Sequence, residues 1–361
     1  MIILLALLAV VMPCSLVGCT ALQAIQRESF LDGKLVIMLD GDIWTMNANG
    51  SNLTQLTDTT EWELDPTWSP DGTKIAFTRE RGSSSASASA SADADAFPQR
   101  PDLFVMNADG SNQTKLLERN AMEPGWSPDG NRIAFSSVEW MEHDTGAVEA
   151  QIYVTNADGS GTPKRLTTDD PNAREERRRP VWLPDGNKIA FVSEGGGIYV
   201  INALGQEDGV NRARPLPNAA GSLSPRPWFP DGTEIVFVGY DANYTPDIFK
   251  LNVSTLKKTR LTESPGEEGP PTWSPDGTKI AFPRSGRIYV MNADGSDPTP
   301  VSEPTEATEV ALDWRPMPTY LQPLAQTGSP FLVSALALAA ALMLVVSGVA
   351  LALVRRGRAS N

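Results

Sequence analysis

The sequence predicts an all-β fold, a six-bladed β-propeller of four-stranded blades, and three observations predict it. The pentapeptide Trp-Ser-Pro-Asp-Gly starts at Trp68, Trp126 and Trp273, with close variants at Trp182 and Trp228. Two residues after each comes an apolar triplet: Ile75-Ala76-Phe77, Ile133-Ala134-Phe135, Ile189-Ala190-Phe191, Ile235-Val236-Phe237 and Ile280-Ala281-Phe282. Further on comes a run such as Asp102–Ser111 or Arg287–Ser296, in which β-branched and aromatic residues lead into Asn-Ala-Asp-Gly-Ser. A unit that repeats in this way cannot bury its apolar face alone and must stack on its neighbours.

Each element follows from local chemistry. The residues before each Trp, for example Asp65 to Trp68, form a short first strand. Ser-Pro-Asp-Gly is a tight turn, because Pro presets φ, Asp bonds its own backbone and Gly takes the left-handed position. The Ile-Ala-Phe segment is the second strand. The third alternates around Ile152-Tyr153-Val154 or Ile198-Tyr199-Val200, as a half-buried pleated surface requires. Asn-Ala-Asp-Gly is the next hairpin turn, and Lys164–Thr167 the fourth strand. Four strands per unit make a propeller blade.

Five complete units account for five blades, and a sixth is split. Leu35–Leu39, Asp42–Asn47 and Leu53–Thr57 supply its last three strands, and Glu309–Trp314 supplies the first from the other end. That pairing closes the ring and removes open sheet edges. The organisation read from the sequence is a signal peptide over 1–24, the propeller over 33–316, a linker over 317–323 and a terminal signal over 324–358.

Composition limits the function. There are 30 Lys+Arg against 44 Asp+Glu, and three of the arginines (Arg355, Arg356, Arg358) sit in the C-terminal tail. So acidic a body repels polyphosphate, which excludes general nucleic-acid binding and leaves cationic partners favoured. Both cysteines, Cys14 and Cys19, fall in the first twenty residues, and His143 is the one histidine. No thiolate or histidine metal cluster can be built from that set, and no metal or other cofactor is expected.

Both ends read as addresses. Met1 to Met12 is an apolar run too short to span a bilayer, as in a signal-peptide core. It leads to Leu16-Val17-Gly18-Cys19, which resembles the bacterial lipobox, whose cysteine is lipidated; cleavage near Ala21 or Ala24 is the other reading. At the far end, Leu324-Ala325-Gln326-Thr327-Gly328 precedes an apolar run from Phe331 to Val354 and then a basic tail. As a helix, that run would rise about 36 Å, enough for a hydrocarbon core of about 30 Å. The order of pentapeptide, span and basic tail is similar to the cell-wall sorting signal of Gram-positive bacteria, in the variant with Ala325 in place of proline found in high-GC species. The resemblance implies a sortase as processing enzyme, cleavage at Thr327–Gly328, a membrane-held precursor and a location at the cell surface. A plain single-pass anchor is the alternative.

The Trp-Ser-Pro-Asp-Gly, Ile-Ala-Phe and Asn-Ala-Asp-Gly pattern resembles the propeller of the TolB family over residues 33–316. The resemblance implies the fold. TolB proper carries a further α/β domain before its propeller, and that family's lipoprotein partner belongs to Gram-negative envelopes, so the partner is not carried over. The repeated aspartates Asp71, Asp129, Asp185, Asp231 and Asp276 read as turn residues rather than a catalytic ring. The Asn-Ala-Asp-Gly sets lack the spacing of a calcium loop. The repeat tryptophans each bury surface between blades, about 2–3 kcal/mol apiece.

Function is sought where the repeat breaks its own rule. Intervals between successive repeat tryptophans are 58, 56, 46, 45 and 41 residues, so the early blades carry insertions. One, Arg79–Pro101, is a low-complexity Ser/Ala/Asp stretch, expected to be disordered. Another, Ser137–Gln151, contains Trp140, His143 and Asp144. A third departure is the basic cluster Arg177, Arg178, Arg179 before Trp182, read as a loop. Turns between strands one–two and three–four share one face of the disc, so all three departures share the other. The expectation is an envelope-anchored, non-catalytic binding or scaffold module presenting that face, through Trp140, His143, Asp144 and Arg177–Arg179, to an envelope protein or glycan. The alternatives are a propeller enzyme acting on polysaccharide and a passive spacer.

Overall fold

The computed structural model describes residues 33–80, 101–118, 120–140, 148–167, 177–193, 196–204, 213–224, 226–240, 245–264, 266–304 and 311–316, with backbone alone at 138–140 and 148–149. They form six antiparallel sheets. Blade I holds β1 (Lys34–Leu39), β2 (Asp42–Asn47) and β3 (Thr54–Gln55). Blade II holds β4 (Glu63–Trp68), β5 (Lys74–Arg79), β6 (Asp102–Asn107) and β7 (Thr114–Leu117). Blade III holds β8 (Ala121–Trp126), β9 (Arg132–Trp140), β10 (Val148–Asn156) and β11 (Lys164–Arg165). Blade IV holds β12 (Arg177–Trp182), β13 (Lys188–Ser193), β14 (Gly197–Asn202) and β15 (Arg214–Ala220). Blade V holds β16 (Glu234–Tyr240), β17 (Pro246–Asn252) and β18 (Lys258–Arg260). Blade VI holds β19 (Thr272–Trp273), β20 (Lys279–Arg284), β21 (Arg287–Asn292) and β22 (Thr299–Pro300). The last strand, β23 (Leu312–Trp314), returns to blade I and pairs with β1, Leu35 opposite Trp314 and Ile37 opposite Leu312. The split sixth blade closes as the sequence indicates.

The core is divided among the blade interfaces. Among the described residues, six apolar clusters form, one at each junction around the ring. The Ile-Ala-Phe triplet explains how. Ile75 and Phe77 face blade I, while Ala76, between them, faces blade III. Ile133 and Phe135 face blade II, and Ala134 faces blade IV. Period-two alternation thus puts two large residues on one side of the second strand and a small one on the other. Large meets alanine at four junctions and valine, Val36 and Val236, at the I–II and V–VI junctions, so the blades can approach closely.

Four elements are shorter than their pattern, one of them β3, which spans Thr54–Gln55 where the pattern runs from Leu53 to Thr57. In blade III the fourth strand stops at Arg165, because the Thr167 hydroxyl has turned to accept the Ile152 amide at 3.0 Å. In blade V the first strand is reduced to isolated bridges, Ser222 with Val238 and Trp228 with Ile235. Pro227 has no N–H to give a ladder there, and in blade VI the consecutive Pro270 and Pro271 deny β19 two donors in a row.

The five Pro-Asp-Gly aspartates are turn residues. Asp71, Asp129, Asp185, Asp231 and Asp276 each accept the amide two residues on, at 2.8–3.0 Å. The serine before the turn holds three of them as well. These bonds lower the pKa of Asp129, and at Asp71 they overcome the opposing effect of burial.

Candidate functional site

The first strands of neighbouring blades lie side by side around the axis of the ring, β23 beside β4, β4 beside β8 and β8 beside β12. In three successive blades that strand carries the same interruption. Register slips between Leu64 and Thr67, between Met122 and Gly125, and between Arg178 and Val181. At each slip stands a charged residue followed by proline: Asp65-Pro66, Glu123-Pro124 and Arg179-Pro180. All three charged residues have left-handed backbones, with φ of 53°, 54° and 56°. Proline disfavours the α region just before it and donates nothing to the ladder, and a bulge re-aims the side chain that carries it.

The re-aimed side chains tie one blade to the next. Asp65 Oδ2 accepts the Glu123 amide at 3.2 Å, and Glu123 Oε2 accepts the Arg179 amide at 2.7 Å. Arg179 Nη1 donates to the Leu223 carbonyl of blade V at 3.1 Å. Arg226 then crosses the ring: its Nη2 donates to the Trp68 carbonyl at 2.6 Å, and its Nε lies 3.0–3.1 Å from both oxygens of Asp313. Asp313 also accepts from Thr67 Oγ1 at 3.0 Å and the Trp68 amide at 2.8 Å. It is fully enclosed, and burial pushes its carboxyl up against the pull of Arg226.

Of the residues singled out in the sequence, Trp140 ends β9 opposite Val148. The hairpin of blade III therefore runs to nine paired residues per strand, where blades I, II and VI have six. His143 and Asp144 lie outside the described residues. Arg177–Arg179 are not a loop but the first half of β12. Arg177 is buried and donates to Gln151 Oε1 at 2.7 Å, Arg178 is exposed and Arg179 is the bulge residue. The structure thus links Arg179 to Glu123 and, through it, to Asp65, and places Arg226 against Asp313 and the Trp68 carbonyl; the sequence reading passed over Asp65, Glu123 and Arg226. The signal was a charged residue before proline, three positions ahead of the repeat Trp for Asp65, Glu123 and Arg179 and two ahead for Arg226.

Trp62 and Tyr240 add exposed aromatic surface on the face of the strand two–three turns. Among the described residues no cluster of three His, Cys, Asp or Glu could hold a metal ion, and no helix is long and apolar enough to cross a membrane. Cys19, Leu324, Ala325, Gln326, Thr327, Gly328 and the 331–354 segment lie outside the described residues, as does most of Arg79–Pro101.

Fold and inner ring together define a six-bladed propeller with a charged axis, and the comparisons find it similar to TolB propellers. A TolB homolog of Chlorobium luteolum is 30% identical over 153 residues, 42% of this chain and 28% of that protein. An uncharacterized peptidase, YuxL, of Bacillus subtilis is 28% identical over 125 residues, 35% of this chain and 16% of that protein. The chain therefore spans less than a third of either relative. The crystal structure of TolB from Acinetobacter baumannii superposes with a TM-score of 0.56 at 22% identity, over 79% of this chain and 67% of that one, a likeness of fold. No family model matches the sequence.

Proposed function

We propose that the protein is a non-catalytic binding or scaffold module of the cell envelope, which offers a protein or glycan the face on which its strand two–three turns lie. The observation that carries this reading is the run of left-handed charged residues Asp65, Glu123 and Arg179 on successive inner strands. Left-handed backbones in non-glycine residues are held only where the surroundings over-determine them, and such positions concentrate at binding sites. The lengthened blade III hairpin, Arg178 and Trp62 share that face.

The test passes solubilised envelope over the immobilised protein, beside a variant carrying Arg178→Glu and a hairpin cut back to six pairs. Retention of a partner by the wild type, with at least a tenfold loss in the variant, is the expected result; a difference of that size needs only about 1.4 kcal/mol. Equal retention by both would overturn the choice of face.

Tethering belongs to the same proposal. Cleavage at Thr327–Gly328 by a sortase would leave the ring covalently held at the surface, and lipidation of Cys19 would hold the other end. Mass spectrometry of wall-linked peptides ending at Thr327 tests the first of these. The peptidase relative supports a second reading, a propeller enzyme. Turnover of an envelope polymer that disappears with His143→Ala would establish it.

A further inference from the structure

In four blades a hydroxyl after the fourth strand accepts an amide hydrogen of the third strand: Thr57 from Ile43, Thr167 from Ile152, Thr262 from Ile248 and Ser302 from Ile288, all at 2.8–3.0 Å. Three of these hydroxyls, Thr57, Thr167 and Thr262, also sit between two polar side chains. One precedes the isoleucine, and the other stands five positions before the next repeat Trp. At the V–VI seam these are Asp247 and Glu268, and each acid has its own guanidinium, Arg260 and Arg284. The Thr262 hydrogen goes to Glu268 Oε2, which the Ile248 amide also reaches at 3.0 Å. At the III–IV seam they are Gln151 and Arg177, and Thr167 and Arg177 both donate to Gln151 Oε1.

The I–II seam breaks the rule. Its two groups are Asp42 and Glu63, both acids. Arg79 stands where Arg284 does, donating to Glu63 Oε1 at 2.7 Å. The position of Arg260 is taken by a neutral residue: Phe249 pairs with Arg260, and Trp44 in the same register pairs with Gln55. Gln55 donates to Asp42 Oδ2 at 2.9 Å but brings no charge. Blade II shows that the rule extends to a lysine, since Lys115, at the matching position, lies 3.5 Å from Asp102. Glu61, 3.9 Å from Arg79, adds a further negative charge at the I–II seam.

Thr57 has one hydroxyl hydrogen for two carboxylates. It lies 3.3 Å from Asp42 Oδ1. Glu63 Oε1 takes Thr59 Oγ1 at 2.6 Å as well as Arg79, while Glu63 Oε2 is fully enclosed and has no hydrogen-bond partner among the described residues. An enclosed carboxylate oxygen without a donor is expensive, and the group can avoid the expense by becoming neutral.

We propose that the I–II seam binds a proton in place of the missing cation, carried on Glu63 Oε2 and donated to Thr57 Oγ1, whose own hydrogen serves Asp42, and that this proton tightens the seam. All three groups are then satisfied. Burial, the largest influence, raises the pKa of Glu63 against the opposing pull of Thr59, Arg79 and the nearby Thr57 hydroxyl. The sign follows from linkage: stability from this site is complete below the ordinary glutamate range and is lost as pH rises through the raised value.

The test uses the full chain and two variants, Glu63→Gln and Gln55→Arg. Infrared spectra of the wild type should show a protonated carboxyl band that persists above the ordinary glutamate range and is missing from Glu63→Gln. The wild-type Tm should fall relative to that of Glu63→Gln as pH rises, by about 2–4 °C. Gln55→Arg supplies the cation and should move the wild-type transition toward lower pH. Parallel pH profiles for wild type and Glu63→Gln would overturn the proposal. So would stabilisation of the wild type by an added metal cation at fixed pH with no protonated carboxyl band.

Discussion

The repeat tryptophans show how one residue type serves two bonding states. Trp68, Trp182, Trp228, Trp273 and Trp314 are buried, and their indole N–H groups have no partner among the described residues. Trp126 is less enclosed and donates from Nε1 to the Thr67 carbonyl of the neighbouring blade at 3.3 Å. Burial of ring area therefore justifies the first five, and the N–H is a liability there. Trp273→Phe should leave stability within about 1 kcal/mol of the wild type, because lost area is offset by removal of an unpaired donor. Trp126→Phe forfeits a bond between blades and should be the more destabilising change. Denaturant midpoints of the two variants check this, and the reverse order would refute it. The tryptophans as core residues were legible in the sequence, since five near-identical contexts announce one structural role. Their unequal bonding was not, because it depends on a carbonyl 59 positions away in the neighbouring blade.

Among the elements, the Asn-Ala-Asp-Gly hairpin does more than turn the chain. In blade I, where the turn reads Asn47-Ala48-Asn49-Gly50, the Gly50 amide closes it on the Asn47 carbonyl with φ of +86°. A Cβ built on Gly50 would stand 1.9 Å from the Val301 carbonyl oxygen of blade VI. A Cβ on Gly110 or Gly295 would likewise stand 2.7 or 2.5 Å from the carbonyl oxygens of Leu56 and Leu261 of the preceding blades. The turn glycine of each of these blades thus nests on the residue just past the fourth strand of the one before. The sequence reading took this glycine as a turn former alone, which is half of its role. The other half needs the neighbouring blade, and local pattern carries no information about it. Gly50→Ala should destabilise by about 2–3 kcal/mol, combining a left-handed penalty with a backbone clash. Gly161→Ala is the matched comparison. It has φ of +78° but meets only the Asn156 side-chain nitrogen at 3.4 Å, so its loss should stay near 1 kcal/mol. Thermal unfolding of both separates turn geometry from nesting, and equal losses would show that nesting contributes nothing.

For the whole molecule, the question is how three residues of β23 hold a ring closed. Leu312, Asp313 and Trp314 pair with β1, and the next residue continues the seal: Arg315 donates its amide to the Lys34 carbonyl at 2.7 Å and its Nε to the Gly72 carbonyl at 3.0 Å. The guanidinium of Arg315 also lies over the Trp68 ring, 5.2 Å from its centroid. Periodicity revealed that a closing strand must exist. It could not show that Asp313 binds blade II through the Trp68 amide and blade V through Arg226, because no repeat unit has an acid at that position. This arrangement couples closure to the opposite side of the ring. Breaking a buried pair from one side leaves an uncompensated charge, typically about 3–5 kcal/mol, whereas replacing both partners can be nearly neutral. Asp313→Asn and Arg226→Met should therefore each destabilise strongly, and the double variant should lose far less than the sum of the two. A cycle of urea midpoints with unchanged m-values measures that coupling directly. Additive losses would mean that the two side chains only touch across the axis, and that β23 is held by its ladder and Arg315 alone.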